Sequence, residues 1–373
     1  MKQDPHSFDS SFSVSWTHKL RFTDCPFENG GVVDSLLSNL KPIQVLVVID
    51  SGLASKNDNF MSQINCWCKQ TSTIHTEPII VAGGETSKND SSVTNQILDA
   101  IHKNNICRKS CILVVGGGAV LDSVGYAASI AHRGIPIIRM PSTTLSQGDS
   151  GVGVKNGINL FGKKNFVGVF SPPYAVINDS SLLKTLDNQH WRSGLSEAIK
   201  VALIKDKLLY QEINSSAELL VKRDSDAVTS VLKQSAKLHL LHITEGGDPF
   251  ERDAARPLDF GHWSAHKLEQ LTNFELSHGD AVAIGLAIDV LLSVHLCNLN
   301  LDIAQGVISL LKKLGFPTNH PELLNPDLLH GIEEFRQHLG GQLTLLMLQD
   351  IEEPVNIHEL DYNLVRQVID ELM

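Results

Sequence analysis

Several histidines and one acidic residue have the types and spacing of a catalytic metal site. His262 and His266 are four residues apart, so one face of a helix could present both imidazoles. His278 follows shortly afterwards, and Glu197 lies upstream on a segment of its own. Two imidazoles and one carboxylate suit a catalytic zinc ion, which keeps one position open for substrate. The alternative is a structural role, because the chain has 16 histidines and this residue serves many purposes.

A glycine-rich stretch at residues 115–122, Val-Gly-Gly-Gly-Ala-Val-Leu-Asp, follows a predicted strand and opens a predicted helix. Backbone amides at a helix N-terminus bind a pyrophosphate, and glycines let it approach closely. The pattern is not GxGxxG, because Leu121 occupies the position of the last glycine. The stretch predicts a phosphate-binding loop, and the alternative is an ordinary turn from strand to helix.

A basic segment surrounds residues 149–165. A dianionic phosphate is bound by several lysine, arginine and asparagine donors that converge on it. The candidate residues of this segment and its surroundings are Arg133, Asp149, Lys155, Asn159, Lys163, Lys164, Asn165, Lys200, Lys237 and Arg256. The alternative is a solvated basic loop with no ligand.

The residues up to about 180 predict the scaffold that positions these groups. Short runs rich in β-branched residues predict strands at 45–50, 79–82, 111–115, 137–139 and 175–177. Helical stretches separate the runs, which indicates βαβ units and a parallel sheet. Ligands of such sheets bind where the strands end, and the candidate residues follow those ends.

The pattern becomes helical from Leu182 onward. Amphipathic or apolar periodicity predicts helices near residues 196–202, 216–241, 263–271, 280–297, 303–314 and 365–372. We therefore expect two domains, at residues 1–180 and 181–373, that close on one cleft. The expected fold class is α/β, with an N-terminal Rossmann-like parallel-sheet domain and a C-terminal all-α domain.

Composition excludes several classes of partner. The 373 residues carry a net charge of -11, which argues against nucleic acid, since neutralising phosphates needs an excess of lysine and arginine. Six scattered cysteines without a CxxC pair predict free thiols in a reducing compartment. The polar first 23 residues lack a secretory pattern, and charged residues interrupt the apolar run at 281–296. We expect a cytoplasmic protein with no membrane partner.

Six motifs together resemble the sugar-phosphate cyclases typified by 3-dehydroquinate synthase. They occur in the order of that family and span most of the chain, from about residue 45 to 361. The motifs are 84–88 (GETSK, like GExxK), 116–122 (GGGAVLD, like the pyrophosphate loop), 141–145 (PSTTL, like PTTLL), 197–200 (EAIK, like ExxK), 261–266 (GHWSAH, like GHTxGH) and 278–285 (HGDAVAIG, like HGEAVAIG).

The resemblance assigns roles to individual residues. It implies metal ligation by Glu197, His262 and His278. It implies that the substrate phosphate is held, and its proton transfers carried, by Arg133, Lys155, Asn165, Arg256 and His266. Substrate hydroxyls and the carboxyl end would be bound by Asp149, Lys200 and Lys237. The residues implied to face NAD are Asp50, Glu85, Lys88, Gly117, Gly118, Asp122, Thr143, Thr144 and Lys164.

The resemblance also implies the chemistry. NAD+ and Zn2+ (or Co2+) would serve a carbon–oxygen lyase acting on a seven-carbon sugar phosphate, with the NAD bound by the first domain and the metal and substrate by the second. One hydroxyl is oxidised transiently, phosphate is eliminated, hydride returns, and the opened ring closes again by an aldol step. The family also implies a homodimer.

Departures from the dehydroquinate synthase pattern leave the substrate open. Asp259 stands where those enzymes have Asn, and Val154 where they usually have a second glycine. Residues 152–159 and 335–341 instead resemble the sedoheptulose 7-phosphate cyclases, such as 2-epi-5-epi-valiolone synthase. Those enzymes often have proline where His266 stands, so the chain matches neither branch and most resembles the dehydroquinate synthase-like EboD group. Residues 245–253 look like an insertion between Lys237 and Arg256.

Two other functions remain to be distinguished. An NAD- and metal-dependent glycerol or polyol dehydrogenase would use the same two-domain plan, since one fold hosts many chemistries. It predicts net accumulation of NADH and no need for a phosphate pocket between Lys155 and Asn165. A non-catalytic metal- or nucleotide-binding protein would lack a key ligand, and none of the three is missing.

Overall fold

Six parallel strands form the central sheet of the N-terminal half. The structure is a computed structural model that describes residues 9–89, 91–161, 163–250, 257–338 and 341–373. The described residues contain ten strands in all. The ten are β1 (Leu20–Thr23), β2 (Val45–Asp50), β3 (Ile79–Val81), β4 (Cys111–Gly116), β5 (Ile137–Pro141), β6 (Lys155–Leu160), β7 (Lys163–Phe170), β8 (Ala175–Asp179), β9 (Leu345–Asp350) and β10 (Glu353–Ile357). Four of them form two separate antiparallel pairs, β6 with β7 and β9 with β10. The large sheet has the order β1-β8-β5-β4-β2-β3, with every pair parallel.

Fifteen α-helices occur in the described part of the chain. They are α1 (Val32–Leu40), α2 (Ser51–Lys56), α3 (Asp58–Gln70), α4 (Thr86–Asn89), α5 (Ser92–Lys103), α6 (Gly118–Ile130), α7 (Asn188–Lys205), α8 (Lys207–Ser215), α9 (Ala217–Val221), α10 (Ser225–Glu245), α11 (His262–Leu271), α12 (His278–Cys297), α13 (Leu301–Lys313), α14 (His330–His338) and α15 (Tyr362–Leu372).

The neighbouring strands β2 and β4 are buried along their whole length, which explains their continuous apolar sequences. Apolar clusters on the two faces of the sheet join the strands to α1 and α3 on one side and to α5 and α6 on the other. All five predicted strands are therefore confirmed. The edge strand β1 escaped prediction because it is short and only half-buried.

The C-terminal half is a helical domain built around α12. That helix is buried along most of its length and joins the large apolar cluster of α7, α10, α11 and α13. By length and composition it is the one described helix that could cross a membrane, and its burial is that of a core helix. The predicted fold class is confirmed with one addition, because β9 and β10 form a small antiparallel hairpin beside α12.

The two halves meet at a π-helical turn, Ser146–Ser150, which follows β5. Gly194 of α7 lies against the backbone there, since a Cβ at this position would be 2.3 Å from the carbonyl carbon of Thr144. Thr144 accepts a hydrogen bond from the Gly194 amide at 3.1 Å and donates one to the His190 carbonyl at 2.8 Å. Ser235 of α10 donates to the Gly148 carbonyl at 3.2 Å. These contacts bring α7 and α10 to the ends of the strands.

Candidate active site

Three helices bring the predicted metal ligands together. Glu197 is fully buried in the middle of α7, and His262 and His278 are the first residues of α11 and α12. The Oε1 atom of Glu197 lies 3.4 Å from Nε2 of His262 and 3.3 Å from Nε2 of His278. The three ligand atoms all lie within 4.8 Å of one another, as one shared cation requires.

Both imidazoles present Nε2 to this point because their other nitrogens have partners. Nδ1 of His262 lies 3.0 Å from the Phe260 carbonyl, and Nδ1 of His278 lies 3.2 Å from Oε2 of Glu269. Such outer partners fix the tautomer and ring orientation of metal-ligating histidines. Oε1 of Glu197 is buried, has no hydrogen-bond partner among the described residues and faces both Nε2 atoms, which leaves it available for a cation. The residues therefore fit a divalent metal.

Lys200 lies one turn after Glu197 on α7 and forms a buried ion pair with its Oε2 atom. Burial alone lowers the pKa of Lys200, but attraction by Glu197 and Asp149 outweighs it and raises the pKa. Burial raises the pKa of Glu197, and Lys200 and His262 overcome this effect and hold it well below its usual value. Both groups are therefore charged at neutral pH.

His266 lies beside the metal ligands, with its ring centroid 5.3 Å from that of His262 and 6.0 Å from that of His278. Burial, followed by repulsion from His262, holds the pKa of His266 well below its usual value. The imidazole is therefore neutral at pH 7 and can accept a proton.

Asp149 lies on the π-helical turn and forms an ion pair with His239 of α10, with 2.6 Å between Oδ1 and Nδ1. Burial raises the pKa of Asp149, and His239 more than offsets this effect, so the pKa is lowered. The negative charge of Asp149 also raises the pKa of Lys200, so the two side chains belong to one electrostatic cluster with Glu197.

A cleft of about 560 Å3 runs from the ends of the strands to His278, one of the three predicted metal ligands. Its walls come from both halves and include Asp50, Gly83, Glu85, Gly117, Gly118, Thr143, Lys164, Glu269 and His278. A cleft between an open parallel sheet and a second domain is a frequent ligand site.

The sheet side of the cleft fits a dinucleotide. Helix α6 begins at Gly118 with no side-chain cap, so its first amides are available for a pyrophosphate. A Cβ at Gly118 would lie 2.8 Å from Oγ of Ser150, and one at Gly83 would lie 2.2 Å from Oδ1 of Asp50. A Cβ at either position would therefore force the facing side chain to move. Asp50 ends β2 and accepts the Gly52 amide at 2.7 Å, which fixes its carboxylate at the cleft wall.

A polar network beside the cleft contains several of the other predicted residues. Lys88 is buried, pairs with Asp122 at 2.7 Å and donates to the side chain of Asn165. Asn159 donates to Glu85 at 2.8 Å and accepts the Asn165 amide at 2.9 Å. The network thus joins residues predicted at the NAD site to one predicted at the phosphate site.

The remaining predicted residues divide into those near the cleft and those away from it. Thr143 lines the cleft, whereas Thr144 is buried under α7 and serves the contact between the halves. Lys155 begins β6 and is exposed. Lys237 is exposed on α10, and among the described residues no contact joins it to the metal-site residues.

Of the two predicted arginines, Arg133 lies away from the glycine loop within this chain. Arg133 is exposed just beyond the C-terminal end of α6, whose N-terminal end faces the cleft. The 13 residues of α6 separate it from the glycine loop, and at 1.5 Å per residue this is about 20 Å. Arg256 lies outside the described residues.

Sequence reasoning missed three residues that hold this site. Glu269 contacts His278, and its position three residues after His266 on the same helix was a signal that could have found it. His239 gave no such signal, because Asp149 is 90 residues away in sequence. Arg139 of β5 donates to the Gly153 carbonyl at 2.8 Å and to the Lys155 carbonyl at 3.2 Å, which holds the segment that carries Lys155.

Comparison with known families agrees with this geometry. The family described as 3-dehydroquinate synthase N-terminal matches residues 78–193, and the family described as 3-dehydroquinate synthase C-terminal matches residues 194–336. The two matches cover most of the chain and both halves of the cleft.

Individual proteins show the same similarity. The chain is 30% identical over 342 residues to the 2-epi-valiolone synthase of Actinosynnema mirum, covering 90% of this chain and 88% of that protein. It is 34% identical over 275 residues to the 3-dehydroquinate synthase of Nitrosospira multiformis, covering 74% of each. A solved structure of 2-epi-5-epi-valiolone synthase from Streptomyces hygroscopicus, with NAD+ and Zn2+ bound, superposes with a TM-score of 0.88 at 25% identity, covering 98% of this chain and 99% of that one.

Proposed function

Because the chain belongs to the 3-dehydroquinate synthase family of phosphate-eliminating cyclases, we propose that it converts a seven-carbon sugar phosphate into a carbocycle with NAD+ and a divalent metal. The metal is Zn2+ or Co2+. The observation that carries this proposal is the single buried point where Glu197, His262 and His278 meet, at the wall of a dinucleotide-sized cleft. NAD+ and Zn2+ in the similar 2-epi-5-epi-valiolone synthase support both cofactors.

The proposed metal centre lies beside two charged side chains, Lys200 and Asp149. When bound by Glu197, His262 and His278, the cation supplies a Lewis acid that orients and acidifies a substrate hydroxyl. Lys200 and Asp149 bind neighbouring hydroxyls of the substrate, since both are buried and charged at this point. Their hydrogen bonds to these hydroxyls would hold the substrate in one orientation at the metal site.

The proposed nucleotide site holds its cofactor through a full cycle. NAD+ supplies a hydride acceptor whose reduced form is the donor when the hydride returns, so it is held rather than exchanged. The amides at the start of α6 hold the pyrophosphate, and Asp50 and Glu85 bind a ribose from the cleft wall. Thr143 and Lys164 border the same space.

Elimination of phosphate needs donors for the leaving oxygen atoms and a carrier for the proton. Lys155 and Asn165, on β6 and β7, are the proposed phosphate donors, as the family resemblance implies. His266, whose lowered pKa leaves its imidazole neutral at pH 7, is the proposed carrier of the proton. A dehydrogenase that releases NADH has no use for such a group of residues.

Asp259 supports a substrate that lacks a carboxylate. It lies just before α11, and its buried Oδ2 atom has no hydrogen-bond partner among the described residues. Its negative charge helps to raise the pKa of Lys200. A substrate carboxylate beside this group would be repelled, whereas a hydroxyl could donate to it. We therefore propose sedoheptulose 7-phosphate, rather than 3-deoxy-arabino-heptulosonate 7-phosphate, as the preferred substrate.

The alternative, an NAD-dependent glycerol or polyol dehydrogenase, is less well supported. It shares the metal and nucleotide requirements, but not the phosphate donors or the match to both 3-dehydroquinate synthase families. The two functions differ in where the hydride ends, because a dehydrogenase releases NADH and a cyclase returns the hydride to its product.

A homodimer and a cytoplasmic location remain predictions. The dimer is expected from the family, and the position of Arg133 adds a structural reason. Arg133 lies about 20 Å along α6 from the glycine loop of its own chain, and we propose that it contributes to the phosphate site of a second copy. Mixing inactive Arg133→Ala and Lys155→Ala proteins should then restore part of the activity in heterodimers.

The test of the proposed function measures phosphate and NADH together. The zinc-loaded protein is incubated with NAD+ and either of the two sugar phosphates. We expect phosphate release without net NADH, faster with sedoheptulose 7-phosphate, and loss of release in Lys155→Met. Lys233→Met, an exposed lysine of α10, is the matched control and should behave as wild type. Steady NADH formation without phosphate release would refute the cyclase.

A further inference from the structure

Glu269 contacts residues from both halves of the molecule. Its side chain is 5% exposed, and its two oxygen atoms have different partners. Oε2 lies 3.2 Å from Nδ1 of His278, and Oε1 accepts a hydrogen bond from Nζ of Lys164 at 2.8 Å. One buried carboxylate therefore joins a metal ligand to a lysine of the nucleotide cleft.

The contact with His278 determines how that ring faces a cation. With Nδ1 donating its proton to Glu269, the lone pair of Nε2 points toward Glu197. Outer carboxylates of this kind orient a histidine ligand and raise its basicity, and their loss weakens metal binding about 10–100-fold. Conversely, a cation on Nε2 fixes the ring and strengthens the hydrogen bond that Nδ1 donates.

The contact with Lys164 reaches across the cleft. Lys164 lies on β7 of the N-terminal half, Glu269 lies on α11, and both line the cleft. The lysine is 23% exposed, so its ammonium group is open to a bound anion on one side. Holding a flexible lysine in place before a ligand arrives lowers the entropy lost on binding.

We propose that Glu269 is a positioning residue that couples metal binding to nucleotide binding. The cation fixes His278, His278 fixes Glu269, and Glu269 holds Lys164 where the phosphates of NAD+ bind. This inference rests on the metal and NAD sites of the proposed function, but not on its reaction. Coupling of this kind is reciprocal, so each ligand raises the affinity of the other by the same factor.

Binding measurements test the coupling without turnover. The affinity for NAD+ is measured calorimetrically in metal-free and zinc-loaded protein, and the affinity for zinc by competition with a chromophoric chelator. We expect zinc to tighten NAD+ binding of the wild type by about 5-fold or more, the lower range of allosteric coupling. In Glu269→Gln zinc binds about 10–100-fold more weakly. The effect of zinc on NAD+ binding disappears in this variant.

A second variant separates the two contacts. Lys164→Met keeps the contact of Glu269 with His278, so zinc affinity should stay near the wild-type value while the coupling is lost. The matched control is Glu334→Gln, which breaks an ion pair of 2.6 Å between Glu334 and Lys267 on the outer side of α11. Both affinities and the coupling should be unchanged in it.

The outcomes separate this inference from the proposed function. Wild-type levels of zinc affinity and coupling in Glu269→Gln, or intact coupling in Lys164→Met, would overturn the role of Glu269. If zinc does not change the NAD+ affinity of the wild-type protein, the role of Glu269 is overturned too. Absence of phosphate release from a protein that shows the coupling would reject the reaction and leave the coupling standing.

Discussion

Replacing Asp289 by asparagine tests how the start of α11, and therefore His262, is held. Asp289 of α12 is 1% exposed and accepts two hydrogen bonds from the residues on either side of His262. The Gly261 amide donates at 2.7 Å and Nε1 of Trp263 at 2.9 Å. An asparagine can accept only one of them and turns its amide hydrogens toward the other, so about 1–3 kcal/mol of stability is lost.

The size of this loss depends on pH. Burial raises the pKa of Asp289 to about 7, against the opposing hydrogen bonds from Trp263 and Gly261. In the unfolded chain the pKa is about 3.9. Because the folded pKa is the higher one, the protonated group favours folding fully below about pH 4, and this contribution is lost as the pH rises through about 7. Between pH 5 and pH 7 the contribution of Asp289 to the free energy of unfolding falls by about 2 kcal/mol. The slope is about 1.36 kcal/mol per pH unit and becomes smaller as the pH approaches the folded pKa.

Urea unfolding of metal-free wild type and Asp289→Asn at pH 5, 6 and 7 measures this difference. Other titrating groups are common to both proteins and cancel when the two free energies of unfolding are subtracted. We expect the destabilisation by asparagine to shrink by about 2 kcal/mol from pH 5 to pH 7. A difference that stays constant within about 0.5 kcal/mol, the size of an ordinary surface effect, would refute the raised pKa of Asp289.

Three further substitutions test other parts of the site. His278→Ala should lose bound zinc while Lys155→Ala keeps it, because only the first removes a ligand; equal zinc content by elemental analysis would contradict the ligand assignment. Gly194→Val should lower the melting temperature by several degrees, since even a Cβ would lie 2.3 Å from backbone; an unchanged melting curve would argue against the close contact. His239→Ala leaves the carboxylate of Asp149 without its partner and should lower stability by about 1–3 kcal/mol and reduce kcat; a wild-type urea midpoint would contradict this.

The sequence predicted those parts of the fold whose patterns are local. Strands β2 and β4 are wholly buried, so their apolar runs were unambiguous. The hairpin of β6 and β7 was read as a basic loop, because glycines and polar residues interrupt it and much of β7 is exposed. The hairpin of β9 and β10 was missed because it packs on a domain whose other elements are helical.

The site was predictable where motifs carry it and unpredictable where long-range contacts do. Glu197, His262 and His278 were named from ligand chemistry and resemblance, and three separate helices bring them together. The pairing of Asp149 with His239 depends on how α10 packs against the π-helical turn, and no local pattern records that packing.

The most direct measurement of the central claim follows one deuterium atom. A sedoheptulose 7-phosphate labelled at the carbon that is oxidised is converted by the zinc-loaded protein with unlabelled NAD+. Transient oxidation predicts that the carbocyclic product retains the deuterium and that one phosphate is released for each product, with no labelled NADH in solution. Deuterium recovered in free NADH, with the sugar phosphate intact, would contradict the cyclase and indicate a dehydrogenase.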